Sequence, residues 1–178
     1  LMQHDVAGNE NFIVCKSCFE VLLRFLRHIP TDEQTLVRIV MMAEQRGVRH
    51  RHPAVRKRGM YTLQRIAQKH GHMLVPLLPR LLENMQSMLR PISSQQADGG
   101  YFQFQLTLYE TLGLIIGQNP DDKVQPGQVE AVLRPTVVEL RRFASAPSHA
   151  ALNMSQMQMC LIASRLVEAC VAFARGFA

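Results

Sequence analysis

Arg46-Gly47-Val48-Arg49-His50-Arg51-His52-Pro53-Ala54-Val55-Arg56-Lys57-Arg58 joins two amphipathic helical patterns, and its reading decides the fold. Gly47 closes the pattern before it, and Pro53 opens the one after it, where a missing N–H costs nothing. The Val55-Arg56 pair is the signature that opens the second helix of many helical repeats. The same stretch concentrates charge. From Arg38 to Lys69 the chain holds nine Lys/Arg and one acid, Glu44, whereas the remainder holds 11 basic and 13 acidic residues. The formal net charge of +6 is therefore a local feature, and a clustered basic surface attracts polyanions such as RNA.

Working outward, the periodicity predicts seven helices and no strand, an all-α chain without a β-sheet. The first covers residues 11–28, with Val14, Cys18, Val21, Leu22, Phe25 and Ile29 as its apolar face, and Pro30 ends it. Asp32 opens the second, ahead of Leu36, Val37, Val40, Met41 and Ala43. The third starts at Pro53 and buries Val55, Gly59, Met60, Leu63, Ile66 and Ala67. The fourth starts near Val75 and is stopped by Pro91, and residues 92–100, ISSQQADGG, read as a mobile loop. The fifth, Tyr101 to Gly117, is apolar on nearly every side with Glu110 as its lone charge, as in a helix with neighbours all round. The sixth, about Gln128 to Phe143, meets Pro135, expected to kink it or delay its start. The seventh runs from about Asn153 to Arg175.

The spacing of the helix starts, near Asp32, Val75 and Gln128 and near Pro53, Tyr101 and Asn153, matches a repeat of roughly 40–47 residues stretched by loop insertions. The expected architecture is a HEAT-like α-solenoid of antiparallel helix pairs at 32–70, 75–117 and 127–175, with 11–28 as the second helix of a truncated repeat. Residues 1–178 then read as a single fragment of a longer helical-repeat protein, because the apolar pattern continues to its end at Phe177.

Several chemistries find no support. A hydrophobic content of 47% excludes general disorder. No run of roughly 20 apolar residues marks a membrane span, and no secretory signal is visible. Cys15 and Cys18 form a CxxC inside a helical pattern, but Cys160 and Cys170 supply no second pair with zinc-site spacing, so buried thiols are expected. His50/His52 and His70/His72 lack the spacing of a metal helix and are expected to cap carbonyls or add positive surface. The methionines suit adaptable packing between helices. Three tyrosines are too few for a platform that tracks a single strand. With no Gly-rich phosphate loop, no GxSxG and no paired carboxylates, the sequence predicts no enzyme, and no catalytic, cofactor-binding or metal residue is assigned.

The residues that carry a family likeness lie in phase with this repeat. Phe19-Glu20-Val21-Leu22-Leu23-Arg24, the Arg46–Arg56 stretch, Leu63-Gln64-Arg65-Ile66 and Leu81-Leu82-Glu83-Asn84-Met85-Gln86 come first. Leu106 to Ile116, which contains Tyr109-Glu110-Thr111, and Leu133-Arg134-Pro135 follow. In order and spacing this set resembles the middle region of the exportin-T family, from roughly Cys18 to Leu140. The resemblance implies a HEAT-repeat receptor of the importin-β superfamily that shuttles between nucleus and cytoplasm. It would bind tRNA together with the GTP-bound small GTPase Ran, the latter mainly through parts outside these residues, and nuclear pore proteins are further partners. GTP hydrolysis on Ran would release the tRNA in the cytoplasm. The second helix of each repeat would line the concave cargo side, a role that falls to the third, fifth and seventh helices.

Within that frame Arg58, Arg65 and Lys69, at spacing i, i+7, i+11, share one stripe of the third helix, and Arg49 and Arg51 precede them in the loop. These five are the candidate RNA contacts, acting on phosphates by charge and reach. Arg56 has a structural reading instead, as a rung of a ladder with Glu110 as its candidate mate. The rival function from another class is a HEAT-repeat protein–protein scaffold or adaptor unrelated to RNA.

Overall fold

The computed structural model describes residues 11–28, 32–89, 99–145 and 155–178. These form seven α-helices: α1 (Phe12–Phe25), α2 (Glu33–Met42), α3 (Pro53–Leu74), α4 (Leu78–Met85), α5 (Gly99–Gly117), α6 (Gln125–Ser145) and α7 (Gln156–Phe177). No strand occurs among the described residues. The fold class is all-α, of the HEAT-like solenoid type. The chain divides into two compact units, residues 1–77 and 78–178.

Helix starts follow local chemistry. The Asn11 carboxamide oxygen accepts from Ile13 N–H at 2.9 Å, and the Asp32 carboxylate accepts from Thr35 N–H at 2.8 Å. Ser155 and Gln158 form a reciprocal capping box at the start of α7. Each satisfies backbone donors that the first turn cannot pair internally.

In the first unit α1 and α3 run side by side in the same direction. The Phe12 ring stacks on His52 with centroids 3.8 Å apart, and Glu20 meets Arg58 at 3.2 Å further along both helices. Cys15, Cys18 and Phe19 of α1 pack with Ala43 and Val55, with Leu22 and Met42 beside them. This corrects the face predicted for α1. Cys18 is buried as expected, but Val14, Val21 and Phe25 are exposed, Phe25 at 58%. The helix is apolar on two sides, so periodicity could not say which side meets α3. Ile29 and Pro30 lie outside the described residues.

Gly47 does not end the second helical segment. The chain passes from α2 into a π-helical stretch, Ala43–Val48, that includes it. Its role is close approach: a Cβ on Gly47 would sit 2.6 Å from Gly59 Cα and 2.9 Å from the Phe19 ring, and a Cβ on Gly59 would collide with the Gly47 backbone. The connection 49–52 then turns the chain into α3, whose predicted stripe (Val55, Gly59, Met60, Leu63, Ile66, Ala67) is buried throughout. Within α3, His70 leaves helical geometry at φ −136°, ψ 29°.

In the second unit α5 and α7 are also parallel: Arg165 lies over the Phe102 ring near one end, and Gly117 meets Phe177 at the other. Their backbones touch at three glycines. A side chain on Gly113 would strike the Phe173 carbonyl, and one on Gly176 would strike the Glu110 carbonyl. Antiparallel to α5 runs α6, tied by Asn119 to Gln128 at 3.0 Å and by Tyr109 to Thr136 at 2.9 Å. The buried Tyr109 hydroxyl also donates to the Leu89 carbonyl at 2.9 Å, and burial pushes its pKa up. Pro135 does not delay the start of α6, which runs unbroken from Gln125 to Ser145. The carbonyl that Pro135 leaves without an N–H belongs to the exposed Ala131, where water can serve it.

The loop read at 92–100 lies outside the described residues up to 98, and Gly99 and Gly100 already belong to α5. By length and composition alone α7 is apolar enough to cross a membrane. It carries Arg165 and Glu168, however, and buries Ile162, Leu166, Ala169, Ala172 and Phe173 within its unit. Cys15 and Cys18 are buried and form no disulfide, whereas Cys160 is exposed and Cys170 half-buried.

Candidate nucleic-acid interface

The basic stretch folds into a pinned corner followed by a long helix. Arg56 pins the corner: its guanidinium donates to the carbonyls of His50 and Arg51 at 3.3 and 3.0 Å. His50 and His52 serve N–H donors rather than carbonyls, contrary to expectation. His50 Nδ1 accepts from His52 N–H at 2.9 Å, and His52 Nδ1 accepts from Ala54 N–H at 3.3 Å, making His52 the cap of α3. Burial holds the His50 pKa below the ordinary histidine value, which favours its neutral form.

Of the predicted RNA contacts, two already have carboxylate partners. Arg49 lies 3.8 Å from the fully buried Glu44, and Arg58 lies 3.2 Å from Glu20, which also meets Lys16 at 3.5 Å. Exposed Arg51 and Lys69 have no acidic partner among the described residues, and Arg65 is exposed with a hydrogen bond to Gln68 at 2.7 Å. Lys57, not among the five expected contacts, is exposed at i−8 from Arg65 and so lies on the same side of α3; its i, i+4, i+8 relation to residues 61 and 65 was the available signal. From Lys57 to Lys69 the exposed side of α3 spans about 18 Å, long enough to meet several phosphates. Arg56 has carbonyls for partners, while Glu110 is a half-buried residue of the second unit.

The charge is distributed unequally between the units. Residues 1–77 contain twelve Lys/Arg and six Asp/Glu, whereas residues 78–178 contain eight of each. The second unit instead offers a groove of about 700 Å³ along α6, lined by Val129, Leu133, Val137, Val138, Arg134 and Phe177 among others. Among the described residues no group of three or more His, Cys, Asp or Glu is placed to hold a metal ion.

The sequence profile of the Exportin-T family matches residues 1–178. The chain belongs to the Exportin-T family. A relative described as Exportin-T, from Dictyostelium discoideum, is 23% identical over 181 residues, covering 99% of this chain. The chain spans 16% of that relative's length. No solved structure matches. Exportin-T membership extends the resemblance read from Cys18 to Leu140 over the whole chain, so α7, which follows Arg142, falls within the same family match.

Proposed function

We propose that this chain is part of a nuclear export receptor that binds tRNA together with GTP-bound Ran and carries it from nucleus to cytoplasm. Membership of the Exportin-T family carries the reading. The basic side of α3 supports it, because the net charge of the chain resides in the unit that contains that helix. The protein would work by shape and charge, with no catalytic step of its own. Ran would be held mainly by parts of the receptor outside these residues, and passage would bring contact with nuclear pore proteins.

Arg51, Arg65 and Lys69 are the contacts best placed to meet phosphates, joined by Lys57. Arg49 and Arg58 could reach RNA only while sharing or leaving Glu44 and Glu20, which lowers their net attraction. Folded tRNA suits such a surface, since double-stranded RNA is read largely through its backbone and shape. Arg56 acts structurally by holding the corner that presents Arg51, and Glu110 is assigned to the repeat framework. The helix pairs 32–70, 75–117 and 127–175 are the repeat units of this proposal.

The test is tRNA binding by the full-length protein with and without GTP-loaded Ran, across a salt series. Binding that requires both partners and weakens steeply with salt supports the reading. Binding of neither, with affinity confined to a protein partner, replaces it with a helical-repeat scaffold.

A further inference from the structure

We propose that Tyr61 is a nucleotide-stacking residue, its ring taking the face of one unpaired base of the RNA whose phosphates the surrounding cations hold. The inference rests on the export-receptor reading and adds to it a contact of a different chemical kind.

At about 100° per residue around the helix axis, Tyr61 falls near the middle of the exposed side of α3. Its neighbours there are Lys57 one turn before, Arg65 one turn after, and Gln68, Lys69 and His72 beyond. The tyrosine is 44% exposed, alone among polar and charged side chains on that face. The described residues give its hydroxyl no hydrogen-bond partner. Tyr109 is the contrast: it is 2% exposed, with its hydroxyl satisfied by Leu89 and Thr136. Tyr109 builds the core of its unit, whereas Tyr61 presents an unengaged ring to solvent between two cations.

A single aromatic cannot track a strand, but it can hold one base. Cations one turn to either side would draw in the phosphates flanking a nucleotide and bring its base over the ring. Stacking accepts any base, because each has a π-face. A folded RNA offers unpaired bases only in loops and ends, and these are where aromatic side chains engage RNA. Phosphate contacts would set affinity and its salt dependence, and Tyr61 would add a contact that requires an unstacked nucleotide.

The two kinds of contact separate experimentally. Binding of tRNA to the full-length protein with GTP-loaded Ran is measured across a salt series for wild type, Tyr61→Ala, Tyr61→Phe and Arg65→Gln. Alanine is an excellent helix former and the site is exposed, so the fold is retained, and circular dichroism verifies this. Tyr61→Ala is expected to weaken binding roughly five- to hundredfold with the salt slope unchanged, while Tyr61→Phe binds as wild type. Arg65→Gln is expected to flatten the slope by about one phosphate contact. A blunt RNA duplex should be bound equally by wild type and Tyr61→Ala. If Tyr61→Ala binds tRNA as wild type while Arg65→Gln flattens the slope, the phosphate interface stands and the stacking proposal is overturned. If wild type binds no tRNA at all, the export-receptor reading itself fails and takes this proposal with it.

Discussion

The two units each set a pair of helices side by side in the same direction, and they hold the pair together by different means. Between α1 and α3 the contact is mixed: a ring stack of Phe12 on His52, an ion pair of Glu20 with Arg58, and the Cys15–Phe19 core beneath. Between α5 and α7 the contact is backbone against backbone at Gly113, Gly117 and Gly176. The first arrangement leaves charged residues on its outer side, and the second sets Arg165 over the Phe102 ring beside an otherwise apolar α5. A helix that keeps Lys57, Arg65 and Lys69 in water has a surface to offer a polyanion. A helix as apolar as α5 serves by being enclosed. The whole net charge lies in the first unit, whereas the eight basic and eight acidic residues of the second cancel.

The seam of the second unit gives the largest expected effect. Gly176→Val would drive a branched side chain into the Glu110 carbonyl, which backbone cannot yield without moving a helix. A loss of about 3 kcal/mol or more is expected, visible as a drop of several degrees in the thermal melt. Gly59→Val is the matching change in the first unit, against the π-helical turn at Gly47. A comparable loss is expected there too. A small loss at Gly59 would show that the π-helical turn gives way, and the comparison between the seams would then be one of stiffness.

Next in size is Tyr109→Phe, which strips hydrogen bonds from the Leu89 carbonyl and Thr136 inside a buried site. It should cost about 1–3 kcal/mol by denaturant unfolding. Tyr61→Phe should stay within about 0.5 kcal/mol of wild type, so the two tyrosines separate into a structural residue and a free one.

Acid distinguishes the units as well. Burial lowers the folded pKa of both His50 and His70 in the first unit. The unfolded chain therefore takes up protons first as pH falls, so stability is complete above the unfolded value, about 6.5, and declines as pH drops through it. The second unit has no histidine among its described residues. Amide hydrogen exchange between pH 7.5 and 5.5 should show protection falling in α1 and α3 while α5 to α7 change little. The double variant His50→Asn with His70→Asn should flatten the first unit's response. Gly127→Ala gives the smallest effect: nothing lies within 4 Å of its added methyl, and a gain of up to about 0.5 kcal/mol is expected.

Much of the fold was legible because helix patterning is local. Asp32 and Pro53 sit at the starts where capping physics puts them, and the stripe Val55 to Ala67 is buried as its period required. Two of the misreadings share one cause. Gly47 and Val14 obey local rules in the sequence, whereas their roles depend on a segment distant along the chain; His50 and His52 differ only in the kind of backbone group they meet two residues on. Gly47 answers to Gly59 and Phe19, and the buried side of α1 was chosen by α3. At the candidate interface the cations were evident from composition, but their partners were not. Arg58 finds Glu20, which is 38 residues away along the chain.

By itself the sequence determined that this protein is all-α, where most helices begin, and that its positive charge gathers around α3. Hydrogen bonding within a turn, apolar period and charge all act over a few residues, and so they are written in neighbouring letters. Only the tertiary structure decided which apolar side of α1 is covered, which glycines are contact points, and which arginines are neutralised. Those outcomes depend on helices meeting through space, where a carbonyl, a carboxylate or an empty Cβ position comes from another part of the chain.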